Sequence, residues 1–224
     1  MARTQSPKTR PPLTRDRILD AAMALADRDG IDAVSMRRLG QELGVEAMSL
    51  YKHVEDKDDV LSGIADRIAA DFQHPDRDRP WRAAIRESAI TAHGVLLRHP
   101  WAGPLLESIS TPGPARLGYL DAVVGVLRGA GFSLPDVAHA FGALDSHLYG
   151  FTMQVVSWPF DAEDMPDVAA AMVETMSAER YPNLVAMGSM VAASGERIPI
   201  DFTFGLDLLL DGLERRLAEG GGPA

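Results

Sequence analysis

An all-α protein is predicted, with a small N-terminal head of three helices followed by a larger helical domain. Three observations carry this prediction. Apolar residues recur at helical spacing along almost all of the 224-residue chain. Ser, Thr and Asp stand where periodic runs begin, and glycines stand where they end. Near Gly44 two such runs lie only a few residues apart. The boundaries expected are a basic arm at 1–13, the head at 14–60, the second domain at 61–219 and a tail at 220–224.

The first run, "LTRDRILDAAMALADRDG", puts Ile18, Ala21, Ala22, Leu25 and Ala26 on one face, with Thr14 as N-cap and Gly30 past the end. "SMRRLGQELG" offers Ser35 as N-cap, Leu39 and Leu43 as the apolar face, and Gly44 for a turn at positive φ. A third short helix is expected from about Glu46 to Lys52, burying Val45, Leu50 and Val54. Helix, glycine turn and short helix in this order make a helix-turn-helix. Ala47, Met48, Ser49, Tyr51, Lys52 and His53 are left facing outward, as on a helix that enters a major groove. Small and hydroxyl side chains would then meet bases, and Tyr, Lys and His would meet phosphates. Asp56 caps a fourth helix, with Asp58 and Asp59 in its first turn and Lys57 placed to hold a phosphate. The acids of this stretch therefore read as caps, not as a metal site.

Composition narrows the function classes. With 46% hydrophobic and 24% charged residues the chain is long enough for a substantial core. There is no cysteine, which removes disulfides, thiolate metal sites and thiol nucleophiles and fits a cytoplasmic location. The longest runs without charge, Ser146–Phe160 and Tyr181–Gly195, are fifteen residues each and contain proline, too short for a membrane span. No membrane partner is expected, and residues 1–20 lack the apolar core of a signal peptide.

A net charge of −10 argues against indiscriminate binding to nucleic acid, but the charge is uneven. Residues 1–60 hold ten Lys+Arg against eleven Asp+Glu, while 61–224 hold twelve against twenty-one. The three lysines of the chain, Lys8, Lys52 and Lys57, all lie in the first part. "MARTQSPKTRPPL" carries Arg3, Lys8 and Arg10 without an acid and reads either as a solvated tail or as an arm reaching for phosphates.

Residues 14–68, above all "GIDAVSMRRLGQELGVEAMSLYKHVEDKDDVL", resemble the DNA-binding head of the TetR family of bacterial transcriptional repressors. The match joins the first helix, the Gly-Val turn, the Leu-Tyr-x-His-Val of the reading helix and the lysine that opens the next one. The resemblance implies that Arg37, Ala47, Met48, Ser49, Tyr51, Lys52, His53 and Lys57 line double-stranded DNA. Ala47-Met48-Ser49 stands where tetracycline repressors carry Gln-Pro-Thr, so a different palindromic operator is implied.

"GFSLPDVAHAFGALDSHLYGF" and "FTFGLDLLLDGLERRL" are similar to the dimer-forming helices of the tetracycline-repressor branch. The residues agree: Phe202, Leu206, Leu209 and Leu213 keep helical spacing, and Gly205 and Gly212 allow a close helix. An intramolecular core helix is the other reading. Aromatics and methionines of residues 80–195, among them Trp101, Phe151 and Met176, suit either a core or a pocket for a small hydrophobic effector. The resemblance adds Gln73, Ser88 and His147 as effector contacts. It also places Leu106 where the family histidine holds drug-bound magnesium, and Ile109 at a nearby threonine, so no metal and no cofactor are expected. His93, His99, Asp145 and His147 are the residues an enzyme would use, but no catalytic motif accompanies them. The expectation is a non-enzymatic, homodimeric repressor whose effector favours a conformer with the two heads wrongly spaced for DNA. A ligand-independent DNA-binding dimer is the alternative.

Overall fold

The computed structural model describes residues 12–160, 162–194 and 201–220. Most of the basic arm, with Arg3, Lys8 and Arg10, and the tail after residue 220 lie outside the described residues. Among the described residues there are eleven α-helices, two short 3-10 turns and no strand, as an all-α reading requires. They divide into two compact units, the first running to His74 and taking in Gly94–Val123, the second made of Pro75–His93 and the residues from Val124 onward. The head expected at 14–60 falls inside the first unit.

In the first unit, α1 (Arg15–Asp29) starts where the Thr14 hydroxyl accepts the Arg17 amide, and it stops at Gly30, φ 83°. α2 (Met36–Leu43) starts at Ser35, whose hydroxyl accepts the Arg38 amide. α3 (Ala47–Leu50) is shorter than expected: Glu46 is its cap, and the chain turns on through Tyr51 until the His53 and Val54 amides close on the Leu50 carbonyl. α4 (Lys57–Ala70) begins at Asp56, which accepts the Asp59 amide at 2.8 Å while Asp59 accepts the Glu55 amide at 3.0 Å. This is a variant of the capping box in which the N3 carboxylate bonds the amide before the cap and not that of the cap itself. Ile18, Ala22, Leu25 and Ala26 of α1 are buried together with Val34, Leu39, Leu50, Val54, Val60, Ile64 and Ile68. Val45, expected inside, is only part-buried. The C-terminal end of α5 (Trp81–Arg98), α6 (Ala102–Ser108) and the first part of α7 (Pro114–Gly129) complete this unit.

The angle between α2 and α3 is set at the backbone. Gly44 takes the left-handed conformation, φ 63°, and its N–H returns to α2 carbonyls. A Cβ on Gly40 would lie 2.9 Å from the Val45 carbonyl oxygen and 3.2 Å from the Ala47 nitrogen, so the start of α3 rests directly on α2.

The second unit contains the start of α5, the end of α7, α8 (Leu134–Val156), α9 (Met165–Glu174), α10 (Pro182–Ala193) and α11 (Phe202–Gly220). α8 and α11 pack together, and α9 and α10 form a hairpin with Gly188 against Val173. Charge pairs tie α11 to its neighbours: Arg86 of α5 makes a two-pronged bond to Asp207 at 2.7 and 3.1 Å, and Arg82 reaches Asp211 at 2.5 Å and Glu214 at 3.4 Å. Arg216 of α11 holds Asp136 of α8 at 3.0 Å. Phe202, Leu206 and Leu210 are turned inward, while Phe204 and Leu208 stay exposed.

Because Gly40 must clear fixed backbone, Gly40→Ala should lower the urea midpoint by the equivalent of about 1–3 kcal/mol. Gly44→Ala should cost about 1–2 kcal/mol through left-handed strain. A wild-type midpoint for Gly40→Ala would contradict the close approach of α2 and α3.

Candidate nucleic-acid interface

The outward edge of the helix-turn-helix follows from one buried residue. Leu50 is fully buried, and Met48, Tyr51 and Lys52 occupy positions that helical spacing turns away from it. Met48 is 75% exposed and Tyr51 46%; Lys52 and His53 are exposed, and Ala47 and Ser49 are part-exposed. Arg37 on α2 and Lys57 at the first position of α4 are exposed as well. The structure therefore leaves all eight residues of the expected DNA edge accessible.

Four arginines of the first unit are paired with acids. Arg15 pairs with Asp59 at 2.6 Å, Arg28 with Glu42 at 2.5 Å, Arg38 with Asp29 at 2.5 Å, and Arg67 with Asp16 and Asp20 at 2.8 and 2.5 Å. Hydrogen bonds from Arg28, and then Arg38, hold the Asp29 carboxyl below the usual carboxylate range. Among the described residues, Arg37, Lys52 and Lys57 have no acidic partner within ion-pair distance. Arg37 and Arg38 are neighbours on one helix, yet one is neutralised by Asp29 and the other is left to solvent. Unpaired cations of this kind are the groups that can neutralise phosphates.

Two further ties have no counterpart in the sequence reading. Asp27 of α1 accepts the Trp101 indole N–H at 2.6 Å and meets His99 Nδ1 at 2.7 Å. Asp66 of α4 accepts the Arg116 amide at 3.0 Å in the first turn of α7, and a Cβ on Gly113 would overlap the Asp66 side chain. The Arg116 guanidinium also bonds the Leu106 carbonyl and reaches Glu107 at 3.2 Å. These bonds join α1 and α4 to the segments that follow α5. They span sequence separations of 50 residues or more, so no local pattern announces them.

The description "Bacterial regulatory proteins, tetR family" matches residues 18–64, and "Tetracyclin repressor-like, C-terminal domain" matches residues 74–217. The chain belongs to the TetR family. It is 31% identical to the HTH-type transcriptional repressor DrrR1 of Streptomyces coeruleorubidus, over 94% of this chain and 80% of that one. Streptomyces coelicolor ActR in complex with actinorhodin superimposes with a TM-score of 0.78 at 26% identity, covering 96% of this chain and 100% of that one. BioQ with its double-stranded DNA operator gives 0.64 at 26% identity, covering 91% and 99%.

In this TetR-family chain the residues expected to meet an effector are distributed over both units. Gln73 is exposed and Trp101 buried in the first unit, where the indole N–H is committed to Asp27. Met176 is part-exposed beyond the end of α9. Ser88, His147 and Phe151 belong to the second unit, in which Ser88 and Thr152 are the buried polar side chains among the described residues. His147 and Phe151 adjoin Phe202, whose ring lies between two imidazoles, 4.2 Å from His93 and 4.8 Å from His147 between centroids. His93 and Thr152 are not among the expected contacts. The Thr152 hydroxyl donates its single proton to the Leu148 carbonyl at 2.6 Å, so at 2.7 Å it accepts from His93 Nδ1, while His147 Nε2 donates to the Phe202 carbonyl at 2.9 Å. Of the histidines weighed as catalytic, His99 is held by Asp27 in the first unit, while His93 and His147 both stack on Phe202 in the second.

The dimerisation residues need a correction. Phe202 and Leu206 are 5% and 1% exposed, and a Cβ on Gly205 would lie 2.5 Å from the His147 ring, so these three face the interior of their own unit. The acidic row bonded to Arg82 and Arg86 agrees with that rotation. Leu209, Gly212 and Leu213 instead line a groove with Leu208, Ala140 and Ala143, beside the exposed Phe204.

Burial lowers the His93 pKa below the ordinary imidazole value, and the like charge of His147 adds to this. The folded chain then binds fewer protons than the unfolded chain, so stability should fall as pH drops through about 6.5 and continue falling toward the folded pKa. His93→Gln should flatten the dependence of Tm on pH between about 7.5 and 5.5. An unchanged slope would contradict a His93 pKa lowered by partial burial.

Proposed function

We propose that this chain is a ligand-responsive repressor that acts as a homodimer on a palindromic operator. The observation that supports the reading is the division of charge in the first unit: among the described residues Arg37, Lys52 and Lys57 have no acidic partner within ion-pair distance, while Arg15, Arg28, Arg38 and Arg67 are paired with acids, and Met48 and Tyr51 are exposed. Arg37, Tyr51, Lys52, His53 and Lys57 take the phosphates, and Ala47, Met48 and Ser49 face the bases. The head is residues 14–60, the effector and dimer domain 61–219.

Dimerisation uses the outward faces of α8 and α11, where Phe204 and Leu208 are 67% and 57% exposed next to Leu209, Gly212 and Leu213. A two-fold protein needs a two-fold site. The effector is a small hydrophobic molecule, a class supported by the aromatic lining around His147 and Phe151 and by the actinorhodin complex of ActR. It acts through a conformer that spaces the two heads wrongly for DNA. The bonds from Asp27 and Asp66 make the head move with α6 and the start of α7. Linkage is reciprocal, so DNA weakens effector binding by the factor by which effector weakens DNA, typically about 1–3 kcal/mol. No helix of the described residues is long and apolar enough to cross a membrane.

Replacing Lys57 with Ala should weaken binding to the operator and to unrelated duplexes alike and reduce the salt slope by about one. Tyr51→Ala should weaken both as well. Affinity unchanged in both variants would remove them from the contact surface. Leu208→Glu should convert the dimer to monomer by light scattering, and a persistent dimer would place the interface elsewhere.

A further inference from the structure

The reading edge has an unusual chemistry for sequence discrimination. Met48 is the most exposed large apolar side chain among the described residues, at 75%. Its neighbours on the edge are Ala47, which has no polar side-chain atom, and Ser49, whose single hydroxyl serves donors and acceptors alike. Positions 46–53 hold no Arg, Asn or Gln for two-pronged recognition of guanine or adenine, and their one lysine, Lys52, is assigned to phosphates. A thioether cannot donate a hydrogen bond, and its sulfur accepts only weakly. What Met48 can distinguish in a major groove is therefore shape and apolar surface, and the apolar feature of that groove is the C5-methyl group of thymine.

We infer that Met48 recognises a thymine methyl, so that each half-site contains one thymine whose methyl group, not its hydrogen-bonding pattern, is read. The inference rests on the proposed role of Ala47, Met48 and Ser49 at the bases. Helical spacing favours this contact, because Met48 lies three and four residues before Tyr51 and Lys52 and so shares their face opposite the buried Leu50. Its flexible, polarisable side chain adapts to a methyl group without a fixed geometry. Burying one methyl against it is worth about fourfold in affinity per half-site.

The test uses a duplex enriched by the full-length protein from a random pool. Each thymine is replaced in turn by deoxyuridine, which keeps the pairing and removes only the methyl. The expected result is one thymine per half-site whose replacement weakens binding about fourfold, and about fifteenfold when both half-sites are changed. Cytosine at that position should bind better when it carries the C5-methyl. Met48→Ala should bind the original and the deoxyuridine duplex equally, while Met48→Leu should keep the difference. A wild-type protein indifferent to every thymine methyl, or a Met48→Ala protein with the full penalty, overturns the inference and leaves DNA binding by the head in place. Failure to enrich any duplex overturns both.

Discussion

The burial of Leu50, combined with the contact of Gly40 with the Val45–Ala47 backbone, governs what the short helix of the head presents to its surroundings. A four-residue helix cannot hold its own orientation in water, because so few backbone bonds do not offset the cost of nucleation. Its rotation is imposed by one apolar anchor and one backbone contact. Once these are in place, Met48, Tyr51 and Lys52 have no choice of side. The Gly44 turn and the Asp56–Asp59 capping pair bracket the edge between two helices whose ends are both satisfied.

Electrostatics builds on that frame. An acidic chain can address a polyanion when the positive charge at one surface is spared from internal pairing and the remaining arginines are spent on structure. In the first unit, Asp29, Glu42, Asp59, Asp16 and Asp20 take up Arg38, Arg28, Arg15 and Arg67. In the second unit, Arg82, Arg86 and Arg216 are engaged with acids of α8 and α11. Most of these pairs are at least partly exposed, so each contributes little to stability. Those on α11 accompany the burial of Phe202, Leu206 and Leu210, the larger contribution, and agree with it in the rotation that puts Phe202 against His147 and leaves Leu208 in solvent.

Local chemistry makes the head legible from sequence. Thr14, Ser35 and Asp56 are caps because a hydroxyl or carboxylate three residues before an amide can reach it, and Gly44 is a turn because few other residues tolerate its φ. α3 is shorter than its sequence suggests because the turn from Tyr51 to Val54 keeps helix-like spacing without the full ladder. The second unit is harder to read. Helical spacing predicts an apolar stripe on α11 but not its partner, so Phe202, Gly205 and Leu206 suggest a second subunit when in fact they pack on His93 and His147. Their rotation agrees with the ion pairs of Arg82 and Arg86, more than a hundred residues away in sequence. Asp27 with Trp101 and Asp66 with Arg116 escape sequence reasoning for the same reason. Gly40 does carry a signal, since glycine inside a helix costs about 1 kcal/mol and implies that something lies close to it.

The central claim is that the cations without acidic partners on the head meet DNA, and the scarcity of lysine permits a direct measurement. The reactivity of Lys52 and Lys57 toward acetic anhydride can be read by mass spectrometry with and without a duplex selected by the protein. Protection of both lysines by the selected duplex, and not by an equal concentration of unrelated duplex at the same salt, is the predicted result. Equal modification of both lysines in the free and DNA-bound protein would contradict the account.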